Sequence, residues 1–179
     1  KMLEVAEKSN HIKLGIQLNL FTFEPESSGS VFFLPRGTIV YNQLISFLRE
    51  EYKKRGYREI KTPILYHNSL WKTSGHWEHF KENMFLTEVE GQEYALKPMN
   101  CPACMLTYKH ELHSYRELPL RYADFGILHR NELSGVLNGL FRVRSFTQDD
   151  AHIFIEESQI EDEVSKIITL IDYFYKKIF

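Results

Sequence analysis

The chain has 179 residues, of which 43% are hydrophobic and 26% charged, with a formal net charge of −2. This is the composition of a globular domain with a real core. A nearly balanced charge excludes a surface that grips nucleic acid indiscriminately, and no apolar run approaches the ~18–20 residues that cross a bilayer.

Lys1 to Leu20 is polar and helical in flavour, ending in Leu14-Gly15-Ile16-Gln17-Leu18. Its start, Lys1-Met2-Leu3-Glu4, lacks the layout of a secretion signal and reads as the middle of a longer protein. Ser27-Ser28-Gly29-Ser30 marks a turn before the apolar Val31-Phe32-Phe33-Leu34. From Thr38 to Arg55 the spacing predicts a helix, with Tyr41, Leu44, Ile45, Leu48 and Tyr52 on one face and Gly56 as its stop. Tyr57 to Thr62 alternates like a strand that Pro63 ends.

Phe85 to Leu96 reads as a hairpin turning at Glu90-Gly91-Gln92. Asn100 is placed as the N-cap of a helix running through Leu112, with Pro102 in its first turn. Arg121–Arg130 and Phe141–Gln148 are expected strands around a polar, glycine-containing loop. The last element is a helix with Ser158 and Glu161 as a capping box and an apolar stripe of Ile160, Val164, Ile167, Ile168, Ile171, Phe174 and Ile178. No repeat or linker divides the chain. Two amphipathic helices with hairpin-connected strands between them indicate an α+β fold with an antiparallel sheet.

Two clusters carry chemistry. Along the expected hairpin, Arg142, Arg144, Phe146, Gln148, Asp150 and His152 fall at period two and share one face. Arginine forks suit phosphate or carboxylate, because two parallel N–H bonds match two oxygens. The competing reading is a solvated face with internal ion pairs. The second cluster is Cys101-Pro102-Ala103-Cys104. One Cys-x-x-Cys pair with no second pair is a weak zinc signal, and two buried, inert thiols account for the spacing equally well. His76, His79, His110, His113 and His129 are further ligand candidates among eight histidines. Two cysteines make no disulfide framework and suit a reducing compartment.

Four stretches occur in the order and at the spacing of one family: Thr73-Ser74-Gly75-His76-Trp77, Lys97-Pro98-Met99-Asn100-Cys101-Pro102, His129-Arg130-Asn131-Glu132, and Arg142-Val143-Arg144-Ser145-Phe146-Thr147-Gln148-Asp149-Asp150-Ala151-His152-Ile153-Phe154. Together with His11 to Phe21 they resemble the threonyl-tRNA synthetases, over nearly the whole chain. The resemblance implies a class II aminoacyl-tRNA synthetase catalytic fold, an antiparallel sheet flanked by helices. Residues 1–179 would form part of that domain, with its first motif at about 38–63, its second at about 121–148, and its third motif and the anticodon-binding domain beyond Phe179. The implied activity is a threonine–tRNA ligase acting through a threonyl-adenylate, with this segment inactive alone. A synthetase-like paralogue that binds or regulates without aminoacylation is the alternative.

The resemblance also implies roles. Arg130 would bridge the threonine carboxylate and the ATP α-phosphate and is the expected catalytic residue. Glu132 would accept from the adenine amino group, Phe146 would stack on adenine, and Arg142 would hold the distal phosphates. Met99, Arg130, Gln148 and Asp150 would contact threonine. Cys101 and His152 would supply two of three Zn²⁺ ligands, and Mg²⁺ would accompany ATP. The implied partners are ATP, L-threonine, threonine tRNA and a second copy in a homodimer, with no membrane, in the cytoplasm or the mitochondrial matrix. Five positions depart from the family: Ala103-Cys104 stand for a frequent Gly-His, Leu133 for proline, Asn138 for histidine and Ser145 for glycine. Cys104 thereby introduces a rival thiol.

Overall fold

The computed structural model describes residues 9–178. Asn10 caps helix α1 (His11–Gln17), its side chain accepting from the Ile12 and Lys13 N–H groups. The part of the expected N-terminal helix that falls on residues 1–8 lies outside the described residues. Short strands β1 (Phe21–Thr22) and β2 (Phe32–Phe33) pair antiparallel around the predicted turn, where Gly29 takes a φ of 82°. Helix α2 spans Pro35–Lys54. It starts three residues before the expected Thr38, because Pro35 supplies a preset φ and lacks the N–H that a first turn leaves unpaired. Gly56, at φ 77°, ends the run as predicted.

Strand β3 (Arg58–Ile60) leads to β4 (Leu65–His67) and the short helices α3 (Asn68–Thr73) and α4 (His76–Phe80). Strands β5 (Leu86–Val89) and β6 (Gln92–Leu96) form the expected hairpin, tightened at Glu90 and Gly91, which take φ values of 53° and 75°. Two consecutive positive φ values match the right-handed twist of the flanking strands, so Gln92 belongs to the strand. Helix α5 spans Cys101–Lys109, ending three residues before the expected Leu112. Asn100 does sit at its N-cap, yet its side chain makes no capping hydrogen bond.

The central hairpin is β7 (Leu120–His129) and β8 (Ser145–Phe154), antiparallel over their full length. The second strand therefore starts after Arg144 and extends well past Gln148, so Phe141 to Arg144 belong to the loop. Strand β3 joins β7 in parallel, making a mixed sheet β3-β7-β8. A parallel neighbour needs a long crossover, and the segment holding the second sheet, β4-β6-β5, supplies it. Helix α6 spans Ile160–Ile178. Its capping box is formed by Glu156 and Gln159 on a preceding 3₁₀ turn, not by Ser158 and Glu161. Gln159 is held there because its amide also donates to the Leu118 carbonyl at 3.2 Å.

The period of two divides the central sheet into two faces. One face packs on helices: Tyr52 of α2, Ala123 and Leu170 of α6 form a core that Tyr57, Phe125 and Ala151 complete. The Tyr52 hydroxyl donates to Asp149 Oδ2 at 3.0 Å and seals that layer. The other face carries Asp124, Gly126 and Leu128, opposite Asp150, Gln148 and Phe146 in register. A second core of Trp71, Met84 and Ala95, with Tyr66, Trp77 and Met99 against it, lies under the smaller sheet. No helix among the described residues is long and apolar enough to cross a membrane.

Candidate active site

The open face of β7–β8 brings together groups far apart in the chain. Cys101 opens α5, while Asp150 and His152 lie two residues apart on β8, and one ligand atom from each lies within 4.8 Å of the others. All three are half-buried. A thiol, an imidazole and a carboxylate form a donor set that suits Zn²⁺. Among the described residues no other group of three such side chains converges. Burial, and then the Asp150 carboxylate, push the Cys101 thiol above its ordinary range. A cation beside it would reverse that balance.

Cys104 is outside this group. It is 1% exposed, and burial pushes its thiol up to about 12, the behaviour of an inert core sulfur. Of the Cys-x-x-Cys pair, one thiol faces the site and one the interior. Three of the other candidate histidines are used elsewhere. His113 bonds the Tyr108 carbonyl, His76 Nδ1 meets the Ser74 hydroxyl, and His129 Nε2 meets the Ser145 hydroxyl at 3.3 Å.

At the other end of the same hairpin, just past β7 and beyond the His129–Ser145 pair, stands Arg130. Its Nε donates to the Pro98 carbonyl at 3.1 Å, and its guanidinium lies 5.0 Å from the centre of the Phe146 ring. Glu132 and Arg142 are paired with each other, Arg142 Nε donating to Glu132 Oε2 at 3.0 Å. Here the internal ion pair allowed for in the sequence is present. Arg144 departs from the expected polar face. It donates to the carbonyls of Glu132 at 2.9 Å and Ser28 at 3.0 Å, strapping the loop in front of β8 to the chain's first hairpin. Gln148 is exposed on the open face, and Met99 is half-buried against the second core.

Beneath the site lies a polar group that the sequence reading did not single out. Lys97 and Asn100 are both 0% exposed, and Asp124 is 3% exposed. Lys97 Nζ donates to Thr62 Oγ1 at 2.7 Å and lies 3.6 Å from Asp124 Oδ2. Thr62 in turn donates to Asp124 at 2.5 Å. Burial pushes the Lys97 ammonium below its ordinary value, and the Asp124 carboxylate opposes that shift. The available signal was Asp124 itself, a carboxylate at a strand position whose period-two neighbours are core residues.

A mixed sheet with an antiparallel hairpin, an arginine at its end and an aromatic opposite defines the class. Residues 85–179 match the tRNA synthetase class II core domain (G, H, P, S and T), and the chain belongs to that family. Within it, the chain is similar to the threonine–tRNA ligase of Caldanaerobacter subterraneus subsp. tengcongensis, at 59% identity over 98% of this chain and 27% of that protein. It is also similar to the threonine–tRNA ligase of Carboxydothermus hydrogenoformans, at 54% identity over 97% of this chain and 27% of that protein. A crystal structure of the RNA binding domain of threonyl-tRNA synthetase from Cryptosporidium parvum Iowa II superposes with a TM-score of 0.92 at 51% identity, covering 94% of this chain and 42% of that one. The chain thus spans about a quarter of the length of these curated relatives.

Proposed function

We propose that the protein carrying this chain is a threonine–tRNA ligase and that the open face of β7–β8 is part of its amino-acid-activating site. The observation that carries the reading is the convergence of Cys101, Asp150 and His152 on the face that ends in Arg130 and Phe146. Residues 1–179 would be one part of the catalytic domain, with the two motifs at about 38–63 and 121–148.

The chemistry requires no protein nucleophile. The threonine carboxylate attacks the α-phosphorus of ATP, the bond to the bridging oxygen breaks, and pyrophosphate leaves. A ribose hydroxyl of the tRNA then attacks the adenylate carbonyl, and AMP leaves. Arg130 brings the two reactants together and balances charge that grows on the phosphate. Phe146 offers its face to adenine, Glu132 accepts from the adenine amino group, and Arg142 turns from Glu132 to the distal phosphates. Mg²⁺ enters this reading with the nucleotide.

Selectivity rests on the second cluster. Cys101 and His152 would hold Zn²⁺, which when bound supplies open positions for the threonine amino and hydroxyl groups. Asp150 accepts from the threonine hydroxyl, and Gln148 and Met99 orient the amino acid. Valine has nearly the same shape, and a site that demands a hydroxyl rejects it because polar groups would be left unpaired. A homodimer is part of the reading. Ile39, Val40 and Leu44 stand exposed on α2, an apolar row that suits a partner surface.

Amino-acid-dependent ATP–pyrophosphate exchange on the full-length protein tests this reading. Exchange with threonine, less with serine and none with valine is the expected order. A folded, zinc-containing protein with no exchange for any amino acid would leave a binding or regulatory paralogue instead.

A further inference from the structure

We infer that Lys97 is a positioning residue for amino-acid recognition, its buried ammonium fixing the turn that carries Met99 and Cys101 onto the sheet face of Gln148, Asp150 and His152. This inference rests on the functional reading above. Among the described residues the Lys97 side chain bonds Thr62 and pairs with Asp124, not with Cys101, Asp150 or His152, so its action is through the backbone and through charge.

The backbone of the turn is tied down on both sides. Lys97 N–H donates to the Ile64 carbonyl at 2.8 Å, and the Lys97 carbonyl accepts from His129 N–H at 2.9 Å. The Pro98 carbonyl accepts from Arg130, and the Asn100 carbonyl accepts from Cys104 N–H at 3.0 Å. The side chain adds a third tie, to Thr62 and Asp124, at the far end of β3. One residue therefore joins the segment after β3, the centre of β7 and the start of α5.

Charge gives the second reason. Asp124 and Asp150 are register partners across β7 and β8. Like charges directly opposite on one sheet face repel. Lys97 Nζ lies 3.6 Å from Asp124 Oδ2, a buried cation beside one member of that pair. The cation thus offsets the carboxylate that faces Asp150 across the strands.

Space has been cleared for this arrangement. A Cβ on Gly126 would lie 2.2 Å from Asn100 Oδ1 and 2.9 Å from Lys97 Nζ. The room left by the missing side chain is thus filled by the heads of Asn100 and Lys97, next to Gln148. A buried ion pair is weak support for stability compared with an apolar replacement.

The test uses the full-length protein with Lys97→Met and the double variant Lys97→Met/Asp124→Asn, which removes both buried charges. Three quantities are read: the KM values for threonine and ATP in pyrophosphate exchange, zinc retention against a competing chelator, and Tm. Lys97→Met is expected to raise the threonine KM and weaken zinc retention by about tenfold or more, with the ATP KM changed by less than about twofold. The double variant is expected to regain Tm while its threonine KM stays high. Should Lys97→Met not fold, the double variant decides alone. Recovery of the threonine KM together with Tm would overturn the inference and leave Lys97 as a mere partner of Asp124. An unchanged threonine KM in Lys97→Met would overturn it too. A wild-type protein with neither zinc nor threonine-dependent exchange would overturn the functional reading itself, which distinguishes the two failures.

Discussion

The guanidinium of Arg130 lies over the ring of Phe146, 5.0 Å from its centre, while its Nε donates to the Pro98 carbonyl. The arginine expected to bind phosphate and the ring expected to stack on adenine are thus already in contact, and the turn before Cys101 holds the arginine in place. Lysine has no planar fork with which to bond Pro98 and an α-phosphate together. Arg130→Lys is expected to lower kcat for pyrophosphate exchange by about 10²–10³-fold, with Tm changed little. A loss confined to Tm would assign Arg130 to the fold alone.

The two thiols separate cleanly. Cys101 lies within ligand reach of His152, and Cys104 is buried. Cys101→Ser is therefore expected to lose bound zinc and threonine-dependent exchange, at near-native Tm. Cys104→Ser is expected to keep the zinc and cost stability, by about 1–3 kcal/mol, for a hydroxyl placed in an apolar interior. Metal analysis and thermal unfolding of the two variants check both halves.

Gly126 offers a third test. An added methyl group would lie 2.2 Å from Asn100 Oδ1, and Asn100 is fully buried with no hydrogen-bond partner for either side-chain polar atom. Gly126→Ala is expected to destabilise by about 1–3 kcal/mol and to raise the threonine KM, because the turn carrying Cys101 must move. Denaturant unfolding beside exchange kinetics measures both effects.

Acid sensitivity follows from the Arg121–Glu163 pair, which ties β7 to α6. Arg121 Nε donates to Glu163 Oε2 at 2.7 Å, and Glu163 is 2% exposed. The Arg121 hydrogen bond, and then Lys166, hold the Glu163 carboxyl below its ordinary range against the opposing effect of burial. A carboxyl depressed in the folded state adds stability that is fully present above the unfolded value of ~4.3 and is lost as the pH falls from there through the lower folded-state value. Thermal melts from pH 7 to pH 3 are expected to show Tm falling in that window. Glu163→Gln should melt lower at pH 7 and show a shallower acid slope.

Much of this arrangement was legible in the residues. The period of Tyr41 to Tyr52 located α2, Glu90-Gly91 located a hairpin turn, and the alternation from Phe146 to His152 put Gln148, Asp150 and His152 on one face. The misplacements have local causes. Arg142 and Arg144 continue the same alternation in sequence, yet loop carbonyls of Glu132 and Ser28 capture Arg144 before the strand begins. Asn100 has the signature of a cap, but burial against Gly126 draws its side chain away from the helix end. Ser158 matches a capping box that Glu156 and Gln159 form two residues earlier. Asp124 gave a signal by its place among core positions of β7, but its pairing with Lys97 was out of reach, because neither periodicity nor propensity shows which charges a tertiary layer buries together. The exposed stripe of α6, with Ile160, Val164, Ile168 and Ile171 half open to solvent, remains an apolar face of the chain as described.

The central claim is that Cys101 and His152 hold a zinc ion that itself takes threonine. X-ray absorption at the zinc edge of the full-length protein, with and without threonine, tests it most directly. The account predicts one sulfur ligand at ~2.3 Å beside nitrogen and oxygen ligands, a shell that changes on adding threonine, and no such change with valine. Two sulfur ligands, or a shell indifferent to threonine, would contradict it and point to a structural zinc shared by Cys101 and Cys104.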